Sequence, residues 1–208
     1  MRLREILAAL EGLHGKPRAP LPKTALEWVL WENVAYLVDD ERRAAAFRAL
    51  KKLTRCAPAR IAALPAEKLL AVTRLGGMHP EARVDRLKEI AELALRIGKL
   101  ETAQQLRRFP SIGAPGADKT LMACGGGTAL ALESNGLRVL LRLGFGTESK
   151  NYAQSYRSVQ TALASELPRT PAARLAAHQL LRAHGQRLCR RSAPDCDACP
   201  LAARCPSS

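Results

Sequence analysis

Apolar positions recur at helical spacing along most of the chain and almost nowhere in strict alternation. Ala, Leu, Arg and Glu dominate and β-branched runs are absent. The pattern therefore predicts an all-α protein. Residues 2–13 make a short amphipathic helix, and Gly15 to Pro22 (GKPRAPLP) is a connector that helix geometry excludes. Thr24 opens a second helix, with Glu27 three residues on to complete a capping box, and this helix is expected to reach about Val38. Asp39 and Asp40 cap a third, ending near Leu53. Pro58 and Pro65 start short helices, Gly76-Gly77 stops the helix over 66–75, and Pro80 opens another to about Ile97. A helix ends at Arg108, the turn Pro110-Ser111-Ile112-Gly113 follows, and the next helix begins near Pro115. No internal repeat or low-complexity block interrupts this series.

Composition narrows the partner. A chain of 208 residues suits one or two compact units. Its net charge of +14 and pI near 10.2 mark it for a polyanion, although an Arg-rich proteome would give the same balance. The basic residues are dispersed, which favours a folded surface touching phosphates over a disordered basic arm. Aromatics amount to 4%, which argues against a single-strand binder built on stacking. No apolar run is long enough for a transmembrane helix and no signal peptide is visible, so a cytoplasmic monomer is expected.

The most specific signal lies near the end. Cys189, Cys196, Cys199 and Cys205 form a C-x6-C-x2-C-x5-C run. Four thiolates within seventeen residues can close around one inorganic centre, as they do in iron–sulfur proteins. A four-thiolate zinc site is the alternative, and a disulfide framework a more distant one. Cys56 and Cys124 stand alone in apolar helical stretches and read as core thiols.

These features together resemble the endonuclease III type of helix-hairpin-helix DNA glycosylase. The spacing of the four cysteines matches that family's cluster loop. Ala183-His184-Gly185-Gln186-Arg187-Leu188-Cys189 is similar to the H-G-x-x-x-C approach to its first ligand, and Phe109-Pro110-Ser111-Ile112-Gly113 resembles its L-P-G-[IV]-G hairpin, with Ser111 in place of a glycine. The resemblance implies two all-α lobes. One is a six-helix barrel over about 23–130, with the helix-hairpin-helix at about 101–124, and the other is a cluster lobe of 1–22 and 131–208. It also implies a [4Fe-4S] cluster on the four cysteines and double-stranded DNA with a damaged or mispaired base as partner.

The resemblance assigns roles to particular residues. The family's catalytic Asp lies twenty residues past the last hairpin glycine, and the same count from Gly113 reaches Glu133. Glu133 is therefore the candidate carboxylate beneath the sugar, or else a cap on the following helix. The family's lyase lysine would fall at Pro115, which cannot act; Lys119, one turn on, reads as a surface or phosphate-contacting residue. A monofunctional glycosylase follows. Leu30-Trp31-Glu32-Asn33-Val34 resembles the L-S-E-V-M strip of the adenine glycosylases, which makes Glu32 a candidate general acid with a raised pKa, or a Glu paired with a basic neighbour at the helix edge. Trp31 would line the base pocket or the core. Tyr36, expected on the same helical face as Glu32, would stack on the flipped base. Met78 or His79, in the loop after Gly76-Gly77, would fill the gap left by the base. Phosphates would be met by Ser111 and the amides of Ile112 and Gly113, by Lys119 and Arg138, and by Arg187, Arg190, Arg191 and Arg204 beside the cluster loop. Two alternatives share the fold: a weak or inactive DNA-structure binder, and a bifunctional glycosylase/lyase using an unusual lysine.

Overall fold

The computed structural model describes residues 1–207. Among them are eleven α-helices, one short 3-10 helix (Ala202–Arg204) and no β-strand, so the all-α expectation holds. The chain divides into two compact units. One is Pro20–Cys124; the other joins Met1–Ala19 to the chain from Gly125 onward.

The Pro20–Cys124 unit contains α2 (Ala25–Asn33), α3 (Asp40–Thr54), α4 (Pro58–Ala63), α5 (Ala66–Leu75), α6 (Pro80–Ile97), α7 (Ala103–Leu106) and α8 (Ala114–Ala123). Its spine is α6, whose Val84, Leu87, Ile90, Ala91 and Ala94 are buried and which packs against α2, α4 and α5. Val29, Leu30, Phe47, Leu50, Ile61 and Leu69 complete the core, each buried large side chain contributing about 1.5–3 kcal/mol. Asp39 caps α3 by accepting from the Arg42 amide at 2.7 Å. Thr24 likewise accepts from the Glu27 amide at 3.2 Å. The expected capping box is only half made. The Glu27 carboxylate reaches the Lys23 amide (2.7 Å) and the Lys51 ammonium (2.7 Å) instead of Thr24.

The second helix is shorter than its apolar pattern predicts, ending at Asn33 and not near Val38. Asn33 turns its amide back onto Val29 O (3.0 Å) and across to Pro110 O (3.0 Å), competing with the helical ladder. The chain then extends. Tyr36 N donates to Gly76 O (2.8 Å) and Met78 N to Tyr36 O (3.4 Å), so two loops run side by side. Glycine is required there: a Cβ at Gly76 would stand 2.2 Å from Val34 O, and one at Gly77 would stand 2.6 Å from Tyr36 O. Tyr36 consequently does not share a helical face with Glu32.

Arg83 holds this pair of loops from beneath. Its side chain is 1% exposed, and it donates to Gly76 O (2.5 Å), Thr73 O (2.6 Å), Gly77 O (2.8 Å) and Val34 O (3.4 Å). Four carbonyls from both loops thus converge on one planar fork, a geometry that the point charge of lysine cannot reproduce.

The other unit contains α1 (Leu3–His14), α9 (Ser134–Arg142), α10 (Tyr152–Leu163) and α11 (Pro171–Arg187). Leu3, Ile6 and Leu10 are the buried stripe of α1, which packs on α11; α9 packs on α10 and α11. No helix among the described residues is long and apolar enough to cross a membrane.

Arg83→Met removes the fork and strands buried carbonyls; at about 1–3 kcal/mol for an unmet buried group, a loss of about 3 kcal/mol in urea unfolding is expected. Arg83→Lys should recover less than half of it.

Candidate functional site

The hairpin between α7 and α8 is built as the sequence predicts. Leu106, Phe109, Ile112 and Ala117 are buried in the unit's core and fix the two helices about the turn. Ser111 sits at φ 60°, the left-handed region, where glycine would be free of strain. The Ile112 amide donates to Phe109 O (3.3 Å), so it closes the turn and does not point out to an anion as expected. Gly113 is the N-cap of α8, which has no side-chain cap. The amides of Ala114 and Gly116 in its first turn are the donors a phosphate would meet there.

Glu32 and Lys119 meet. The Lys119 ammonium donates to Glu32 Oε1 and lies 5.4 Å over the Trp28 ring. Glu32 is therefore paired with a basic residue, the alternative given for it, and Lys119 is half-buried in that ion pair instead of open on the surface. Trp31 packs edge-on against Phe47 with ring centroids 5.5 Å apart, and Arg43 covers its ring at 6.0 Å. The paired loops above Arg83 present Tyr36, Leu37, Met78 and His79 outward. Tyr36 is 48% exposed, Leu37 69% and Met78 51%, and the Tyr36 and His79 rings lie 6.2 Å apart. Leu37 and His79 both take positive φ, 52° and 53°. Leu37 escaped the sequence analysis because it was assigned to the helix.

In the other unit, Glu133 is the N-cap of α9. Its Oε1 accepts from the Gly136 amide at 2.6 Å and its Oε2 from Asn135 Nδ2 at 2.7 Å. Asn135 Oδ1 accepts in turn from Arg138 Nη2 at 2.8 Å. Arg138 also donates to Gly185 O (2.7 Å) and to Cys189 O (2.9 Å). These three bonds engage Nε and Nη2 of Arg138, the arginine that the sequence offered for a phosphate. Gly185 is needed for this approach, since a Cβ there would stand 2.6 Å from Asn135 O. The candidate carboxylate is thus linked through two side chains to the backbone of the first cysteine of the loop.

Cys189, Cys196, Cys199 and Cys205 line one cavity, together with Arg142, Leu188, Pro194 and Ala202. Arg142 Nη1 donates to Cys189 Sγ (3.4 Å) and to Arg190 O (2.8 Å). Cys205 Sγ donates to Arg142 O at 3.4 Å. His184 Nε2 lies 3.5 Å from Cys199 Sγ, and its Nδ1 lies 3.3 Å from His14 Nε2. Burial, and then the His14 ring, lower the His184 pKa to about 4, so the imidazole is neutral at pH 7. Burial pushes the Cys199 thiol up, with a backbone hydrogen bond from Leu201 opposing it. Among the described residues no three His, Cys, Asp or Glu side chains form a group that could hold a metal ion.

No family model matches the sequence. No curated protein matches it either. Solved structures do. An endonuclease III–DNA complex superposes with a TM-score of 0.77 at 19% identity, over 99% of this chain and 94% of that one. The fold is that of the helix-hairpin-helix DNA glycosylases. A thermostable thymine-DNA glycosylase gives 0.75 at 14% identity, over 99% and 95%. A 3-methyladenine DNA glycosylase of H. pylori bound to 1,N6-ethenoadenine gives 0.62 at 19% identity, over 89% and 95%.

Ser111→Gly relieves the left-handed turn and should stabilise the protein by about 0.5–1 kcal/mol in urea unfolding, because the strain removed exceeds the added chain entropy. Ser111→Val should destabilise it.

Proposed function

We propose that the protein is a monofunctional DNA glycosylase of base-excision repair, which binds double-stranded DNA as a monomer and hydrolyses the N-glycosidic bond of a flipped damaged or mispaired base. The observation that carries this reading is the Glu133 carboxylate, held by two hydrogen bonds at the start of α9. Departure of a base leaves positive charge on the deoxyribose, and a carboxylate fixed in advance stabilises that charge without reorganising. Two donors leave further lone pairs on the carboxylate for the sugar side. Water completes the hydrolysis. The alternative of a lyase is disfavoured because Pro115 has no amine and the Lys119 amine is engaged by Glu32.

The four cysteines do not close on a single ion, and it is a larger centre, a [4Fe-4S] cluster, that they suit. Such a cluster takes one thiolate at each iron, so its ligands surround a cavity, and these four line a common one. Once bound, it would fix the loop; the glycosidic step needs no electron. Arg142 and His184 supply polar contacts to two of the sulfurs. Purified protein is expected to be brown, with stoichiometric iron and sulfide. A colourless protein holding zinc would replace the cluster with the four-thiolate alternative.

Single-turnover assays on duplexes carrying alkylated purines, uracil or thymine mispairs, oxidised pyrimidines and adenine mispairs test the activity. Base release with an intact backbone is expected for one class. Glu133→Gln, whose amide oxygen can still accept from Gly136, should slow it by about 10²-fold or more. Tight binding without release from any duplex would favour the DNA-structure binder. A borohydride-trapped adduct lost on Lys119→Ala would favour the lyase.

A further inference from the structure

The segment leading into Glu133 is neither helix nor strand. Its backbone carbonyls must find partners elsewhere. Three successive ones do so through side chains of α10 and α11. Gln160 Nε2, on α10, donates to Leu130 O at 2.6 Å. His178 Nδ1, on α11, lies 2.8 Å from Ala131 O and is the donor of that bond, since a carbonyl can only accept. Tyr152 Oη, at the start of α10, donates to Leu132 O at 3.2 Å. Leu130, Ala131 and Leu132 are themselves buried, so the segment is held on both its apolar and its polar sides.

The third side chain differs from the other two. Leu132 is the residue directly before Glu133, so the Tyr152 hydroxyl anchors the last peptide before the carboxylate. Tyr152 is also 42% exposed, and its ring stacks on Tyr156 with centroids 6.2 Å apart and planes 24° from parallel. Stacking on one side fixes where the hydroxyl points. Burial, and next the charge of Glu133, raise the tyrosine's pKa, which places the ring within electrostatic range of that carboxylate and keeps the hydroxyl a donor at neutral pH. A side chain that served packing alone would not combine an open face with a hydrogen bond to the one backbone carbonyl that sets the entry to Glu133.

We propose that Tyr152 is a positioning residue for the reaction: through its bond to Leu132 O it sets the approach of the Glu133 carboxylate to the sugar. This rests on the glycosylase reading, and on Glu133 as the group that meets the developing cation. A misplacement of about 1 Å at such a group can cost about 10²-fold in rate, so one anchoring bond is worth keeping.

The test compares two duplexes that need no knowledge of the lesion. One carries a pyrrolidine, protonated at neutral pH, in place of a deoxyribose; the other carries the neutral tetrahydrofuran analogue. The ratio of their affinities reports the carboxylate's grip on a cationic sugar. Wild type should prefer the cation and Glu133→Gln should lose that preference. Tyr152→Phe, which keeps the ring and its stacking, should reduce the preference by about fivefold, the usual worth of one hydrogen bond. Its affinity for the neutral duplex should stay unchanged, and its melting temperature should fall by no more than the few degrees that one hydrogen bond is worth. An unreduced preference in Tyr152→Phe overturns the proposal and leaves the role of Glu133 intact. Equal weakening on both duplexes also overturns it, since Tyr152 would then serve DNA binding or the fold alone. No preference in wild type, or one that survives Glu133→Gln, removes the premise and the proposal together.

Discussion

The Arg138 guanidinium is the join on which the candidate catalytic carboxylate and the cysteine loop both depend. It leaves α9 and binds the carbonyls of Gly185 and Cys189 while holding the Asn135 amide against Glu133. Beyond Gly185 the only buried side chain among the described residues is Leu201. One buried leucine contributes about 1.5–3 kcal/mol, whereas ordering each backbone residue costs about 1–2 kcal/mol. Apolar burial therefore cannot hold the loop. Arg138 and Arg142 tie its first turn, and a four-thiolate centre is the kind of cross-link that would close the rest. The same bonds make the loop a rear support for Glu133, so a disturbance at the cysteines reaches the carboxylate through two side chains.

Much of the fold was legible because local signals and tertiary packing agree. Pro58, Pro80 and Asp39 open helices where they stand, and Gly98 closes α6. The hairpin could be placed by its turn, and Ser111 adopts the conformation that its position in the motif demands. The end of α2 was not legible. Asn33 to Val38 carries an apolar pattern that a helix could continue, and what stops it is a bond to Pro110 and pairing with Gly76, both distant in sequence. Reading Tyr36 as the neighbour of Glu32 failed for that reason. Arg83 was illegible for a related one: in the sequence it is one more arginine on a charged helix, and only the convergence of two loops turns it into their anchor.

The candidate site shows the same division. Counting from Gly113 singles out Glu133, and the cap on the following helix, named as the alternative for it, is the place the structure gives it. Its supports could not be found that way. Tyr152, Gln160 and His178 lie 19 to 45 residues beyond it and touch carbonyls, and carbonyl contacts leave no trace in residue spacing. The bonds of Arg138 to Asn135, Gly185 and Cys189 were illegible for the same reason, because an arginine's partners are not written in its neighbours.

Those bonds bear on the charge of +14. Arg43, Arg83, Arg138, Arg142 and Arg174 each direct donors to backbone carbonyls, with Arg174 binding Pro168 O, Arg169 O and Gly127 O. A protein with few aromatics and little β-structure has many loop carbonyls to satisfy, and the five donors of a guanidinium do this without a carboxylate partner. Such arginines add to the net charge while having part of their hydrogen-bonding capacity committed. The charge that acts on a polyanion at contact is then smaller than composition indicates, and the salt dependence of binding would count only the cations that reach phosphates. Long-range attraction still draws on all of them, because a clamped guanidinium keeps its charge. These five arginines thus serve the architecture directly, and their charge adds to the electrostatic footprint as a consequence.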